Sequence, residues 1–343
     1  MALEGSGFWG VTGAMANKLV TVFGGSGFIG RHVVRRFAAA GWRVRVAVRD
    51  TRAAAFLKPA GDLGQIALVP ASVRDDASVK AAVQGADAVI NCVGILYERG
   101  ARTFQAMHVE GAGRIAKAAA DTGAEHLVHI SALGAAKDSP SAYARSKAEG
   151  EEAVQDAFPT ATIFRPCVVF GPGDHFFNMF GRMAQLSPVL PFFTDVVPHA
   201  DGGGGPKFQP VYVGDVAGAM AAAVMKPGYA GETFELGGPR VYDMREIMQI
   251  VNHETTRDRW IIGVPFVLAD VGAVFAQFLP TPPLTPDQVK LLKLGNVLGG
   301  KAPGLAEFGI TPSAVEAIVG SYLKRFRPVQ QNKRIRITAT DRR

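Results

Sequence analysis

Tyr143 and Lys147 stand four residues apart, a spacing that puts a phenol and an ammonium on one face of a helix. A cation beside a phenol stabilises phenolate and lowers a pKa that starts at about 10, so the pair could pass a proton near neutral pH. A second constellation lies upstream, where Val20-Thr21-Val22-Phe23 runs into Gly24-Gly25-Ser26-Gly27-Phe28-Ile29-Gly30-Arg31. Gly25, Gly27 and Gly30 satisfy G-x-G-x-x-G, and Gly24, Gly27 and Gly30 satisfy G-x-x-G-x-x-G in the overlapping frame. Glycines so spaced allow a tight turn, backbone approach to a pyrophosphate and close helix–strand packing. The helix start then offers free N–H groups and a positive dipole end to phosphates. An apolar run before the turn and Val33, Val34 and Phe37 after it supply the strand and amphipathic helix that a dinucleotide site requires.

The choice between dinucleotides turns on the end of the second strand. Val44-Arg45-Val46-Ala47-Val48 leads into Arg49-Asp50, about twenty residues past the last glycine. An acid there bonds the ribose of NAD, whereas an arginine accommodates the 2′-phosphate of NADP. Both are present and one must face away; Arg49 comes first, and Arg31 adds positive field, so NADPH is the expected cofactor. Asn91-Cys92-Val93-Gly94 ends the fourth strand in small residues over which adenine and ribose could pass. Expected cofactor contacts are therefore residues 24–31 together with Arg49, Asp50, Ser72, Val73, Cys92, Val93, Gly94, Tyr143, Lys147 and Pro166. His126 and His129 face opposite ways on a strand, and no metal site is expected.

The elements that must position these groups follow from periodicity. Strands are expected at Lys18–Phe23, Arg43–Val48, Ile66–Val69, Ala88–Asn91, His126–Ile130 and Ala161–Phe164, with helices starting near Phe28, Thr51, Asp76, Thr103 and Pro140. Asp75 is placed to cap the third helix, and Ser139-Pro140 to open the fifth. Such alternation builds an open parallel sheet by right-handed crossovers, with ligands at the carboxyl ends of its strands. Beyond Phe170 the alternation fails. Ser187 to Pro206 is expected to be loop, Lys207–Val213 a strand, Asp215–Met225 a helix and Thr233–Leu236 a strand. Ile261 to Leu279 is too interrupted to span a bilayer and is expected to be a core or interfacial helix, with core favoured. Later helices are expected at Pro286–Leu294, Pro312–Val319 and Ser321–Phe326.

The chain has 343 residues, 48% hydrophobic and 20% charged, as in a soluble protein with a large core. Its two cysteines, Cys92 and Cys167, lack C-x-x-C spacing and are expected to be reduced thiols. The formal net charge is +7, of which the five basic residues and one acid from Pro328 to Arg343 supply a large share. With no basic stripe elsewhere, nucleic acid is excluded as the expected partner, while an anionic lipid surface could meet the tail. The N-terminus has neither the apolar run of a secretory signal nor an arginine before Arg31, so residues 1–14 are expected to be an extension without a targeting role.

From residue 18 to about 240 these motifs resemble the short-chain dehydrogenase/reductase superfamily, in its extended or atypical branch. Besides the glycine turn, the Asn91–Gly94 turn and Tyr143-Ala144-Arg145-Ser146-Lys147, the resemblance includes Arg165-Pro166-Cys167-Val168-Val169-Phe170-Gly171-Pro172-Gly173-Asp174 and Val211-Tyr212-Val213-Gly214-Asp215-Val216-Ala217. It implies an α/β fold: a doubly wound parallel Rossmann sheet, NAD(P)-binding, with a smaller discontinuous α/β C-terminal domain. The expected division is an extension at 1–17, the Rossmann domain at 18–170 with a return at 208–236, a smaller substrate or docking domain at 171–207 and 237–327, and a basic tail at 328–343. After residue 17 the chain is also similar to the nucleotide-binding accessory subunits of respiratory complex I. Phe23–His32, Phe192-Phe193-Thr194-Asp195, Gly204–Val211, Pro283–Val289, Phe308–Pro312 and Tyr322–Arg327 carry that similarity. It implies a tightly held NADPH, other complex I subunits as partners and a peripheral seat at the cytoplasmic face of a bacterial inner membrane; a soluble cytoplasmic protein is the alternative.

Two positions depart from the active pattern. Active members often read Ile-Ser-Ser where this chain has Ile130-Ser131-Ala132, so Ser131 joins Tyr143 and Lys147 in the catalytic set only as a remnant. They commonly open the fourth helix with Asn-Val-x-Gly, against His108-Val109-Glu110-Gly111 here, and His108 is expected to be a satisfied structural histidine. The resemblance thus implies a bound cofactor that is not turned over. The alternative is a working NADPH-dependent reductase or epimerase on a quinone precursor or a nucleotide-linked sugar, supported by Tyr143 and Lys147.

Overall fold

The computed structural model describes residues 18–194, 205–277, 279, 282, 284–300 and 302–328. The N-terminal extension, the glycine run apart from Gly205, Asp195, Phe278, Pro280, Pro283 and the tail past Pro328 lie outside the described residues. Six strands alternate with helices: β1 (Leu19–Phe23), β2 (Arg43–Val48), β3 (Ile66–Pro70), β4 (Ala88–Asn91), β5 (His126–Ile130) and β6 (Thr162–Pro166). Helices α1 (Phe28–Ala39), α2 (Asp76–Val83), α3 (Gly111–Asp121) and α4 (Ala142–Ala157) lie between them. Five further strands follow: β7 (Val169–Phe170), β8 (Val189–Thr194), β9 (Lys207–Phe208), β10 (Val211–Tyr212) and β11 (Thr233–Leu236). Last come β12 (Tyr242–Asp243) and β13 (Trp260–Pro265). The later helices are α5 (Phe176–Leu186), α6 (Val213–Met225), α7 (Met244–Thr255), α8 (Phe266–Ala276), α9 (Pro286–Leu294) and α10 (Val315–Leu323).

Seven parallel strands form one sheet in the order β11-β6-β5-β4-β1-β2-β3. The central runs are mostly apolar and almost wholly buried because both faces are covered. Val20 and Val22 of β1 meet Val33, Val34 and Phe37 of α1 and Met220 of α6. Leu19 and Phe23 meet Val79, Ile115 and Val154 on the opposite face. A third core, with Phe177 of α5, Val251 of α7 and Val319 of α10, lies beyond the sheet. Strand order reverses between β1 and β4, which opens a crevice at their carboxyl ends.

Several local expectations are corrected. No α-helix starts at Thr51; a 3₁₀ turn, Ala55–Ala60, stands there with Pro59 inside it. The cap of α4 is Ser141, whose hydroxyl accepts from the Ala144 N–H at 3.2 Å, while Ser139 lies two residues earlier and accepts from the Ser141 N–H. The stretch expected to be loop contains β8, which pairs in parallel with β13. Its prolines are tolerated because this two-stranded ribbon is all edge. Gln209-Pro210 splits the expected strand at 207–213 into β9 and β10, and α6 starts at Val213. The last two expected helices are one, α10, followed by a 3₁₀ turn at Lys324–Phe326.

Ile261–Leu279 divides into β13 and α8, and α8 is not core. Phe266, Ala269 and Ala273 face inward, but Val267 and Phe275 are 70% and 72% exposed, and Leu268, Val271 and Val274 are exposed beside them. No helix among the described residues is long and apolar enough to cross a membrane. Cys92 and Cys167 are free thiols.

Gly30 and Gly272 predict opposite results for one substitution. A Cβ on Gly30 would collide with the Gly24 carbonyl, so Gly30→Ala should lower unfolding free energy by about 1–3 kcal/mol. Gly272 lies within α8 with open space around it, so Gly272→Ala should raise it by about 0.5–1 kcal/mol. Urea denaturation of the three chains checks both signs.

Candidate functional site

The glycine turn fills the crevice. Gly24 has φ +71°, and a Cβ there would lie 2.9 Å from the Cys92 carbonyl at the end of β4. A Cβ on Gly25 would lie 2.6 Å from Val46 Cγ1. The Gly27 N–H donates to the Gly24 carbonyl at 2.9 Å, and α1 then begins with no side-chain cap and no acid in its first turn. Its leading N–H groups are left for an anion, so the cradle fits the pyrophosphate of a dinucleotide. Arg31 Nε donates to the Gly27 carbonyl at 3.1 Å, keeping its guanidinium beside the turn.

Arg49 and Asp50 part company at the end of β2. Asp50 Oδ1 accepts from the backbone N–H groups of Arg52 and Ala53 at 2.9 and 3.0 Å, so this carboxylate organises its own turn. Arg49 is exposed and has no hydrogen-bond or ion-pair partner among the described residues. Ser72 bonds within the start of α2, its N–H donating to Ser78 Oγ at 3.0 Å, and Val73 is buried behind it. At the end of β4, Asn91 Oδ1 accepts from the Val93 N–H at 3.0 Å and Asn91 Nδ2 meets His129 Nδ1 at 3.0 Å. These two contacts shape the turn that carries Cys92, Val93 and Gly94. Pro166 lies at the end of β6, where its carbonyl accepts from the Leu133 N–H at 3.0 Å.

The proton-handling residues are held in a closed network. A single π-helical turn, Gln105–Glu110, precedes α3 and swings His108 toward α4. His108 stacks on Phe104 at 5.3 Å and meets the Tyr143 ring edge-on at 5.5 Å. Its Nε2 accepts from the Ile95 N–H at 3.0 Å, so the neutral ring carries its proton on Nδ1 and donates to Ser146 Oγ at 2.9 Å. Ser146 passes its own proton to the Tyr143 carbonyl at 2.8 Å. Burial, with the Lys147 and His129 charges behind it, drives His108 down to about 2. The histidine is the satisfied structural one expected.

Lys147 is 4% exposed, and its ammonium donates to the Ile130 carbonyl at 3.0 Å. Desolvation lowers its pKa to about 8, against the attraction of Glu151. Burial also raises Tyr143 to about 12, opposite to the expected fall. The Tyr143 hydroxyl has no protein partner among the described residues. Strand β5 ends at Ile130, and the Ser131 hydroxyl after it is enclosed without a hydrogen-bond partner. Ala132, the next residue, offers no hydroxyl at all. A cleft of about 540 Å³ opens nearby, between Leu133-Gly134 and Lys207, Phe266 and Lys293. No group of three or more His, Cys, Asp or Glu among the described residues could hold a metal ion.

The pairing of Asn91 with His129 and the parts played by Phe104 and Asp287 carry no signal in the sequence. Asn91 and His129 pair across neighbouring strands, as the shared register of β4 and β5 allows. Phe104 had only its aromatic character to mark it. Asp287, far away in sequence, accepts from the first N–H groups of α4, and no spacing signals that contact.

Fold and cradle together define an NAD(P)-binding Rossmann protein. The chain belongs to the NAD dependent epimerase/dehydratase family, whose model matches residues 20–237. Over 92% of its length it is 30% identical to the mitochondrial NADH-ubiquinone oxidoreductase 40 kDa subunit of Neurospora crassa, covering 81% of that protein. It is 32% identical to mitochondrial NADH dehydrogenase [ubiquinone] 1 alpha subcomplex subunit 9 of Mus musculus, again over 92% of this chain and 82% of that one. Among solved structures it is similar to dTDP-glucose 4,6-dehydratase from Streptomyces venezuelae with NAD bound, at TM-score 0.68 and 22% identity, covering 90% and 96% of the two chains.

The buried lysine makes stability depend on pH. Lys147 keeps its proton up to its ordinary 10.5 when unfolded but only to about 8 when folded. Between those values the unfolded chain binds more protons, so stability rises with pH. Lys147→Met should remove that rise, making the cofactor-free variant more stable than wild type below the folded value by about 1–3 kcal/mol, with the advantage fading toward the unfolded one. Denaturant titrations of both chains across that pH window measure the difference.

Proposed function

We propose that this chain is an NADPH-binding accessory subunit of respiratory complex I whose cofactor is held rather than turned over. The observation that carries the reading is a contrast within one site. The glycine turn leaves the α1 N–H groups open to a pyrophosphate, whereas the Lys147 ammonium is tied to the Ile130 carbonyl and Ala132 stands where a substrate-polarising serine would be. The relatives named as subunits of NADH-ubiquinone oxidoreductase align with nearly the whole chain, which supports the same assembly here. The apolar face of α8 suits a permanently docked subunit, since exposed patches of this kind are normally buried against a partner. Its expected seat is peripheral, at the cytoplasmic face of a bacterial inner membrane, where an anionic lipid surface could meet the basic tail. Mild solubilisation followed by a native gel tests the assembly: the chain should migrate with NADH dehydrogenase activity, and migration only as a small soluble species contradicts the reading.

NADPH rather than NADH is proposed on the division between Arg49 and Asp50. The carboxylate that would bond a free ribose is tied into its own turn, while the guanidinium is unpartnered and can meet a 2′-phosphate. A charged hydrogen bond contributes about 1.5–3 kcal/mol, so Arg49→Ala should weaken NADPH binding by about 10- to 150-fold and leave NADH binding nearly unchanged. Fluorescence titration of both cofactors measures this, and equal losses for the two overturn the assignment.

A second reading, an NADPH-dependent reductase or epimerase on a quinone precursor or a nucleotide-linked sugar, is favoured by one observation. The Tyr143 hydroxyl is unbonded, and Lys147 sits one helical turn behind it. Loss of function in cells carrying Tyr143→Phe would favour chemistry; an unaffected phenotype counts against it.

A further inference from the structure

We propose that Asp287 is a positioning residue that couples the cofactor end of α4 to the α8–α9 pair, so that a bound dinucleotide orders the segment presenting the apolar face. The inference rests on the reading of the glycine turn, Tyr143 and Lys147 as a dinucleotide seat.

Asp287 is the second residue of α9, yet its carboxylate serves another helix. Oδ1 accepts from the Ala142 N–H at 2.7 Å; Oδ2 accepts from the Ser141 hydroxyl at 2.7 Å and from the Tyr143 N–H at 3.1 Å. Helix α9 does not need this acid for itself. Its own start is closed by a capping box, in which Thr285 Oγ1 accepts from the Gln288 N–H and Gln288 Oε1 accepts from the Thr285 N–H. The carboxylate instead meets the positive end of the α4 dipole through three donors, one of them the peptide N–H of Tyr143. Lys290 adds a tie one turn along α9, its ammonium donating to the Pro140 carbonyl at 3.3 Å.

Helix α9 is in turn bound to α8. Val289 is fully buried against Phe266, Ala269 and Ala273, and Lys293 pairs with Asp270 at 2.8 Å. Among the described residues that cluster has four buried members, far fewer than the three larger cores, so the apolar packing that joins α8 to α9 is small. A thinly packed unit opens locally at low free energy unless something outside it holds it. The Asp287 contacts supply that hold, and they exist only while the first turn of α4 is in place. A dinucleotide resting on Tyr143 and Lys147 would fix that turn, and the coupling is reciprocal: ordered α8–α9 then favours the bound cofactor.

Hydrogen–deuterium exchange of the full chain, with and without NADPH, tests the coupling in wild type and Asp287→Asn. In wild type, NADPH should slow exchange over residues 266–276 and 284–294 by about fivefold or more. Asp287→Asn should lose that increment and bind NADPH about tenfold more weakly, while the peptide covering 24–39 keeps its protection at saturating NADPH. A residue that is merely structural would loosen α9 equally with and without NADPH, and an intact increment in the variant overturns the proposal. Protection at 24–39 without any at 284–294 in wild type overturns the coupling and leaves the cofactor seat standing. No protection anywhere overturns both. Should Asp287→Asn not fold, Ser141→Ala removes one of the three donors and should at least halve the increment; a full increment there contradicts the coupling.

Discussion

Backbone touches backbone where β1 ends. The Gly24 carbonyl is packed beneath Gly30 of α1, and Gly24 itself lies against the Cys92 carbonyl at the end of β4. No side chain fits in either gap, so the first helix and the first and fourth strands converge on one point. The reversal of strand order happens at that point, and the seven-stranded sheet makes it a crevice rather than a seam. Every other candidate contact is arranged around it: Arg49 from β2, Ser72 and Val73 beyond β3, Val93 and Gly94 from β4, and Tyr143 and Lys147 from α4.

Burial then decides what the crevice can do. Lys147 is enclosed and tied to the Ile130 carbonyl; His108 is neutral and bonded at both ring nitrogens. Asn91 holds His129, and both are buried. Lys147, His108 and Asn91 are thus fixed by their partners, while the Ser131 hydroxyl and His129 Nε2 have none among the described residues, and groups so fixed suit a held ligand better than a proton path that must open and close. A dinucleotide that binds only the folded chain adds about 2.7 kcal/mol of stability at a hundredfold excess over its Kd. That is a useful contribution in a protein whose α8–α9 pair shares only a small apolar cluster and whose α8 displays Val267, Leu268, Val271, Val274 and Phe275 outward.

The central sheet was legible because its evidence is local. β1, β2, β4 and β5 lie within a residue or so of where periodicity places them, and Gly24 and Gly30 make the tight turn and close helix–strand approach that their spacing implies. Legibility fell where the cause was tertiary. Nothing in Val189–Thr194 announces a strand until Trp260–Pro265 arrives to pair with it. The apolar composition of α8 suggested core, because composition carries no information about which face finds a partner. The pKa of Tyr143 was expected to fall on the strength of i, i+4 geometry alone. The structure gives the ammonium a different acceptor and buries the phenol, and both effects depend on residues remote in sequence. Asp287 is one letter in a motif until the fold brings it to α4, 144 positions along the chain from Tyr143.

We propose that this crevice keeps a reduced dinucleotide in place without consuming it. Native purification of the chain, followed by denaturation and chromatographic identification of whatever is released, bears on that directly. NADPH released in near-equal proportion to protein, still reduced, is the predicted result. Release of NAD⁺, or of no nucleotide, contradicts it.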